Sequence, residues 1–280
     1  SISAILDIEA AECERMVWAH LHFAGNDTAT NCVNSSNNNH YQNYLNCRFS
    51  NATSHGLYML TNYWSIMDCR FDNNGGDGAR MDGASYTLFY KCLFDNNTGD
   101  GVDTGTENAF RHKWIECIFY NNGEYGFDCS GSGSIIANCI FDANSSAGLR
   151  DRGSSNQTFR VGNLYSNNTL AGAEYYKTTD SVSFNELFYN NRHDTEDNTG
   201  GGPSNSDSIS ELGHLINYIA GASAENPNYT DATNFDFTPI STFGGIGASV
   251  PTPYLWFGSN ADDIGLNKFR SGGSENVSIF

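Results

Sequence analysis

From Leu45 to Asn191 the apolar positions recur in one short unit. Phe23, Phe49, Phe71, Phe94, Phe119, Phe141, Tyr165 and Phe188 follow one another at steps of 22 to 26 residues. Two residues before the aromatic stand Cys47, Cys69, Cys92, Cys117 and Cys139, then Asn163 and Glu186. Two residues earlier again come Leu45, Met67, Tyr90, Ile115, Ala137, Val161 and Phe184. Apolar residues that alternate in this way, as in Tyr90-Lys91-Cys92-Leu93-Phe94, have the period of a strand and not of a helix. Each strand runs into a polar turn such as Asp72-Asn73-Asn74, Asp95-Asn96-Asn97 or Ser166-Asn167-Asn168. Asn tolerates the left-handed backbone of such a corner, and stacked amides can form a hydrogen-bonded ladder. Seven residues after the aromatic, six consecutive units carry a glycine: Gly56, Gly78, Gly101, Gly126, Gly148 and Gly172. These glycines are expected to permit a second bend. A repeat in the low twenties predicts a solenoid whose units bury their apolar faces only by stacking.

The pattern resembles the right-handed parallel β-helix of the pectate-lyase-like superfamily, over roughly residues 15–192. The predicted fold is therefore all-β: a single-stranded right-handed parallel β-helix solenoid, with an irregular C-terminal tail and one short capping helix. Rungs are expected over 1–192, irregular at first, with the polar run Asn31 to His40 as a protruding loop. Residues 193–207 read as a polar linker ending in Gly200-Gly201-Gly202-Pro203. Residues 208–280 read as the capping helix, opened by Ser208-Ile209-Ser210-Glu211 and closed at Gly221, and then an extended tail on the solenoid or a partner. The tail segment Asn226-Pro227-Asn228-Tyr229 followed by Asp231-Ala232-Thr233-Asn234-Phe235-Asp236-Phe237 resembles the closing segment of β-helix proteins of environmental bacteria and their phages, and Asp263-Ile264-Gly265 matches its later Asp-Ile-Gly. Ser241-Thr242 stands where that segment usually has Ser-Pro.

Composition narrows the function. A net charge of −18 with 14 basic residues repels phosphate backbones, which argues against nucleic acid. No apolar run is long enough to span a membrane as a helix and no signal peptide is visible, although an N-terminal segment is a candidate for removal because strand pattern begins at Ile2. The five column cysteines read as a buried thiol stack of small apolar residues, because a linear stack does not supply tetrahedral zinc geometry.

Candidate chemistry lies beyond the glycine column. The residue after each glycine is apolar and predicted to point inward, so the next must point out. That outer column reads Tyr58, Arg80, Asp103, Asp128, Arg150 and Glu174, with Asp82, Arg152 and Tyr176 two residues further on. In polysaccharide-cleaving β-helix enzymes such a face carries reacting carboxylates or an arginine base, and Tyr58, Arg80, Asp82, Asp103, Asp128, Arg150 and Glu174 are the carbohydrate-binding candidates. Asp103 and Asp128 on adjacent rungs could divide acid and base roles. The competing reading is a self-neutralising Arg/Asp ladder, in which the arginines hold the carboxylate pKa values down. The motifs of the polygalacturonase-like hydrolases are missing, and no histidine is placed in the patch. His20 and His22, at strand spacing, read as a polar pair on an outer face. No metal is expected; the oxygen-rich turns Asp72–Gly78 and Asp95–Gly101 are the candidate calcium ligands, without the closing Glu of an EF-hand.

The residue after each column cysteine should also face out, and from the third rung it is Leu93, Ile118, Ile140, Leu164 and Leu187. An apolar outer stripe of this kind marks an interface with another subunit or the seat of the chain's own tail. The expected protein is an extracellular or virion- or cell-surface component, non-enzymatic, structural or adhesive. A phage decoration or fibre subunit and a bacterial surface module both fit, as does a homo-oligomer or larger assembly with polysaccharide as a possible partner. The alternative is a polysaccharide lyase or glycoside hydrolase acting through Arg80, Asp103, Asp128 and Arg150.

Overall fold

The computed structural model describes residues 2–8, 15–35, 40–105, 110–152, 158–175, 182–184 and 186–197, with short pieces at 215–216, 229–231 and 236–239. Three parallel sheets run the length of the solenoid, two of nine strands and one of eight, and each rung contributes one strand to each. A representative rung holds Ala79–Met81 in the first sheet, Leu88–Tyr90 in the second and Leu93–Asp95 in the third. Register is kept from rung to rung: Phe94 stands beside Phe71 on one side and Phe119 on the other.

Inside, the aromatic column forms a continuous stack, with ring centroids 4.6 to 5.1 Å apart from Phe23 to Phe188. That spacing is the strand spacing of a sheet, so identical rings fall into offset contact without adjustment. Leu57, Ala79, Val102, Phe127, Leu149 and Ala173 all point inward and are fully buried, as the alternation requires. The glycine column has a different cause from the one expected. Its members do not adopt the left-handed backbone. A Cβ on Gly78 would lie 2.6 Å from the Gly101 carbonyl oxygen and 2.9 Å from the Asn97 amide, so close approach of rungs, and not a bend, demands glycine there.

Two ladders tie the rungs at the corners. Asn74, Asn97, Asn122, Asn144, Asn168 and Asn191 pass a side-chain hydrogen bond along the column at 2.9 to 3.0 Å. Each amide also donates to a carbonyl of the preceding rung, as Asn122 does to Phe94 O at 3.1 Å. The cysteine column does the same work with thiols. Cys92, Cys117 and Cys139 donate to Ile66 O, Phe89 O and Trp114 O at 3.5 to 3.6 Å, and in the next rung the Asn163 amide donates to Ile136 O at 3.0 Å. Backbone N–H groups answer: Cys47 N donates to Cys69 Sγ and Cys139 N to Asn163 Oδ1. All five thiols are free and buried, and burial pushes the pKa of Cys92 and Cys139 up.

Several boundaries differ from expectation. The predicted loop Asn31–His40 begins as strand: Ala29–Ser35 pairs with Ile2–Ile8 and Leu57–Met59, with Cys32 and Val33 buried. His193–Asp197, read as the start of the linker, is a strand paired with Ala171–Tyr175. Its polar sequence hid this, because an open sheet edge recruits backbone groups whatever the side chains. Of the predicted helix, only Leu215 and Ile216 lie among the described residues, and they form strand, paired with Ser183 and Phe184. In the tail, Tyr229–Asp231 and Asp236–Pro239 form an antiparallel pair. His20 and His22 do not share a face: His20 sits at a left-handed corner (φ 57°) against Asn46, and His22 opens a strand and bonds Ser50.

The apolar stripe on the third sheet points away from the interior aromatic stack yet is covered within one chain. Leu93, Ile118, Ile140 and Leu164 are at most 1% exposed. Leu187 continues the register beside Leu164; its side chain lies outside the described residues, as does Tyr176.

Candidate functional site: an arginine–aspartate cleft

A cleft of about 560 Å³ opens over the first sheet and the turn that leads into it. Three columns build it. The outer positions of the first sheet supply Arg80, Asp103, Asp128 and Arg150, held side by side by strand register. Two residues further along the chain Arg152 joins the lining, while Asp82, at the matching position, bonds Arg80 from outside it. The third column was not read from the sequence: the residues immediately before the glycines, His55, Asp77 and Asp100, also line the cleft. A histidine therefore does belong to this face. Strand alternation carried no signal for this column, because these residues stand in the turn before the strands Leu57–Met59, Ala79–Met81 and Val102–Asp103 begin. Glu124 lines the same cleft from the turn.

The column before the glycines is a ladder in its own right. His55 N donates to Asn31 Oδ1, Asp77 N to His55 Nδ1, Asp100 N to Asp77 Oδ1 and Tyr125 N to Asp100 Oδ1, at 2.8 to 3.2 Å. Here, however, the side chains of Asp77 and Asp100 are carboxyls, which can only accept when ionised. Burial pushes the Asp100 carboxyl up to about 8, helped by the nearby charges of Asp77, Asp128 and Asp103. Burial also raises Asp103, aided by Asp128, even though Arg80 and Gly105 N bind it. The expectation that flanking arginines would depress these carboxylates thus fails at Asp103, where desolvation outweighs attraction.

The outward column is not an open row of charges. The Asp128 carboxylate has no exposed surface and lies beneath both Arg150 and Arg152. Arg80 joins Asp103 and Asp82. Asp82 also accepts from the Tyr58 hydroxyl at 3.0 Å, and Tyr58 stacks on His55. Arg150 lies 3.8 Å from the Tyr125 ring centroid; burial works against its charge, but the Asp128 hydrogen bond and charge outweigh that and raise its pKa. Glu174 is buried beside Arg150 in the register and does not line the cleft. Over Asp103 and Asp128 the guanidiniums reach solvent: the side chains of Arg80, Arg150 and Arg152 are 20 to 36% exposed, those of the two aspartates at most 11%, while Glu124 in the same cleft is exposed.

Carboxylate oxygens of Asp100, Asp103 and Asp128 converge within 4.8 Å of one another. Three acids at that distance are the donor set of a cation site, but three guanidiniums already stand among them, so the residues present do not fit a bound divalent cation. The turns proposed for calcium spend their oxygens elsewhere. Asp72 takes Arg48 and Asp95 takes Arg70, each through two hydrogen bonds of 2.5 to 2.8 Å, while Asn74 and Asn97 belong to the amide ladder. Chemically, the cleft offers a donor-rich surface over a proton-holding carboxyl, Asp100.

Comparison with known proteins agrees with this architecture. Similar solved structures include the A-module of the mannuronan C-5 epimerase of Azotobacter vinelandii (TM-score 0.58, 14% identity, covering 75% of this chain and 64% of that one). A periplasmic alginate epimerase (0.52, 11% identity, 71% and 48%) and the pectate lyase Pel9A (0.51, 16% identity, 87% and 66%) are also similar. The chain spans between about half and two thirds of the length of these proteins. At such identities the likeness is one of fold. No curated protein matches the sequence. The family model for the right-handed β-helix region matches residues 19–170, more than half of the 280 residues. With three parallel sheets in unbroken register behind that match, the chain belongs to the right-handed β-helix family.

Proposed function

We propose that the protein is a non-enzymatic, extracellular or surface β-helix component that binds polysaccharide along the Arg80–Arg152 cleft. The observation that carries this reading is the layering of charge. Asp103 and Asp128 lie beneath arginines, so over them an approaching ligand meets guanidinium donors, with His55 and the exposed Glu124 also lining the cleft. Guanidiniums repeated along a solenoid face at multiples of about 4.8 Å suit the hydroxyl and carboxylate oxygens of a sugar chain, whose monomers have a similar length. The polysaccharide named for the similar periplasmic epimerase, alginate, places an acidic glycan among the first to try.

A second reading rests on Asp100. A carboxyl titrating near 8, within 4.8 Å of Asp103 and Asp128, has the pairing of proton-holding acid and ionised partner that glycan cleavage uses. One experiment separates the two. Alginate, polygalacturonate and a neutral glucan are offered to the protein, and binding and product formation are both measured. The binding reading expects retention of at least one polymer, weakened by Arg152→Gln, with no product. Product that disappears in Asp100→Asn while the fold is kept establishes the enzyme instead. Absence of both retention and product with every polymer removes both readings.

A further inference from the structure

A separate surface follows the corner between the first and second sheets. Arg15, Tyr41, Tyr63, Tyr86 and Arg111 occupy one position of five successive rungs, each two residues ahead of a strand of the second sheet. The three tyrosine rings stack with centroids 5.0 Å apart and planes within 16° of parallel. Arg15 covers the outer face of the stack at Tyr41 and Arg111 covers the other end at Tyr86, at 5.7 and 5.8 Å from the ring centroids. Tyr41, Tyr63, Tyr86 and the adjoining Phe110 are 40 to 43% exposed. None of these residues lines the cleft.

Two features set the strip apart from a decorative stack. All five corner residues have left-handed backbone, with φ between 57° and 67°, and the next rung fills the position with Gly133 at φ 71°. The other left-handed corners are filled mostly by Asn or Asp, which tolerate that conformation; here a bulky aromatic is kept against the backbone's preference. The second feature is charge. In a chain of net charge −18, the corner triplets around the three tyrosines and Arg111, His40–Gln42, Asn62–Trp64, Ser85–Thr87 and Phe110–His112, hold no acidic residue, Glu14 beside Arg15 being the one acid of the five corners, and Arg111 and Lys113 stand exposed.

We infer that this tyrosine–arginine strip is a binding site for a linear acidic polysaccharide. Stacked rings whose faces are taken by one another and by guanidiniums show the solvent their edges, which are the positive rim of the ring quadrupole, and their hydroxyls. Edge, hydroxyl and guanidinium all favour oxyanions, and the tyrosines repeat at 5.0 Å, the length of a sugar unit, with an arginine at each end. A globular partner fits less well. Four aromatic side chains of roughly 200 Å² each, two-fifths exposed, offer about 300 Å², against about 800 Å² per partner in a stable protein interface. A single nucleic acid strand would need open ring faces for its bases.

The test uses the full chain with polygalacturonate as probe and glycine substitutions that the backbone favours. Tyr63→Gly/Tyr86→Gly should lower affinity by about tenfold or more, with thermal unfolding unchanged or raised. Arg111→Gln should lower it less, and Arg152→Gln in the cleft should leave the strip's contribution in place. A double variant that unfolds normally and binds polygalacturonate as the parent does overturns the inference, as does a parent that shows no binding. Equal binding to single-stranded DNA assigns the strip to nucleic acid, and a dimer that the double variant dissolves assigns it to self-association; either result also overturns the inference. Because Arg152→Gln alone reports on the cleft, the two sites fail or stand separately.

Discussion

The asparagine ladder and the aspartate ladder solve one problem with different chemistry. Both are columns one rung apart in repeat, and both catch backbone N–H groups of neighbouring rungs. In the first, Asn74 through Asn191 accept and donate, so every buried polar atom of the amide finds a partner. In the second, Asp77 and Asp100 accept an N–H but have no proton to give unless they hold one, and burial makes Asp100 hold it up to about 8. The neutral ladder is a stabilising device. In the acidic one, Asp100 works against the fold at neutral pH, and it lies in the cleft. Charge retained where an amide would serve the fold better is the mark of a site shaped by something other than stability.

Breaking the neutral ladder gives the largest effect. Asn122→Ala strips partners from Phe94 O, Asn97 and Asn144 at once. With each orphaned buried group costing about 1–3 kcal/mol, the loss should be roughly 3–5 kcal/mol by denaturant unfolding. A loss under about 1 kcal/mol would show that the ladder is incidental to stability.

The aspartate ladder should respond in the opposite direction. Asp100 has a folded pKa raised from 3.8 to about 8, so the native state binds a proton that the unfolded chain lacks between those values. Its contribution is complete below about pH 4 and is lost as pH rises toward 8. Glu186, buried and raised from 4.5 to about 8, adds a parallel loss. Stability should therefore fall between pH 4 and pH 8, and Asp100→Asn should be more stable than the parent at pH 8 by on the order of a few kcal/mol, with little difference at pH 4. A parent whose stability is flat over this range would refute the assignment.

The thiol ladder sharpens the comparison with the smallest effect. Thiols are weak donors, so Cys117→Ser, which keeps the donor to Phe89 O, should cost about 1 kcal/mol. Alkylation without reductant should leave Cys47, Cys69, Cys92, Cys117 and Cys139 unlabelled in the native protein and label all five after denaturation. A disulfide between neighbours of the column would contradict the free thiols of the ladder.

The solenoid was legible in the sequence because every rung repeats the same burial decision. Tyr90 to Phe94 is not the single strand that the alternation suggested: Lys91 turns a left-handed corner (φ 54°), Tyr90 is half-buried and Phe89 is the residue inside. An inward ring and an inward apolar residue after glycine are nonetheless set by strand alternation. The outer column from Tyr58 to Glu174 was legible for the same reason. What the pattern could not state was the environment of that column. Alternation says that Asp128 points outward; only the folded chain decides that Arg150 and Arg152 close over it, that Asp100 joins it from another column, and that desolvation there exceeds the pull of the arginines. His193–Asp197 was hidden likewise, since backbone pairing at a sheet edge leaves no trace in side-chain polarity. So was the Tyr41–Tyr63–Tyr86 stack, whose members stand at corners outside the apolar alternation. Local periodicity determines which way a side chain leaves the strand. Burial, charge balance and pKa depend on the sum of what arrives from other rungs, and that sum exists only in three dimensions.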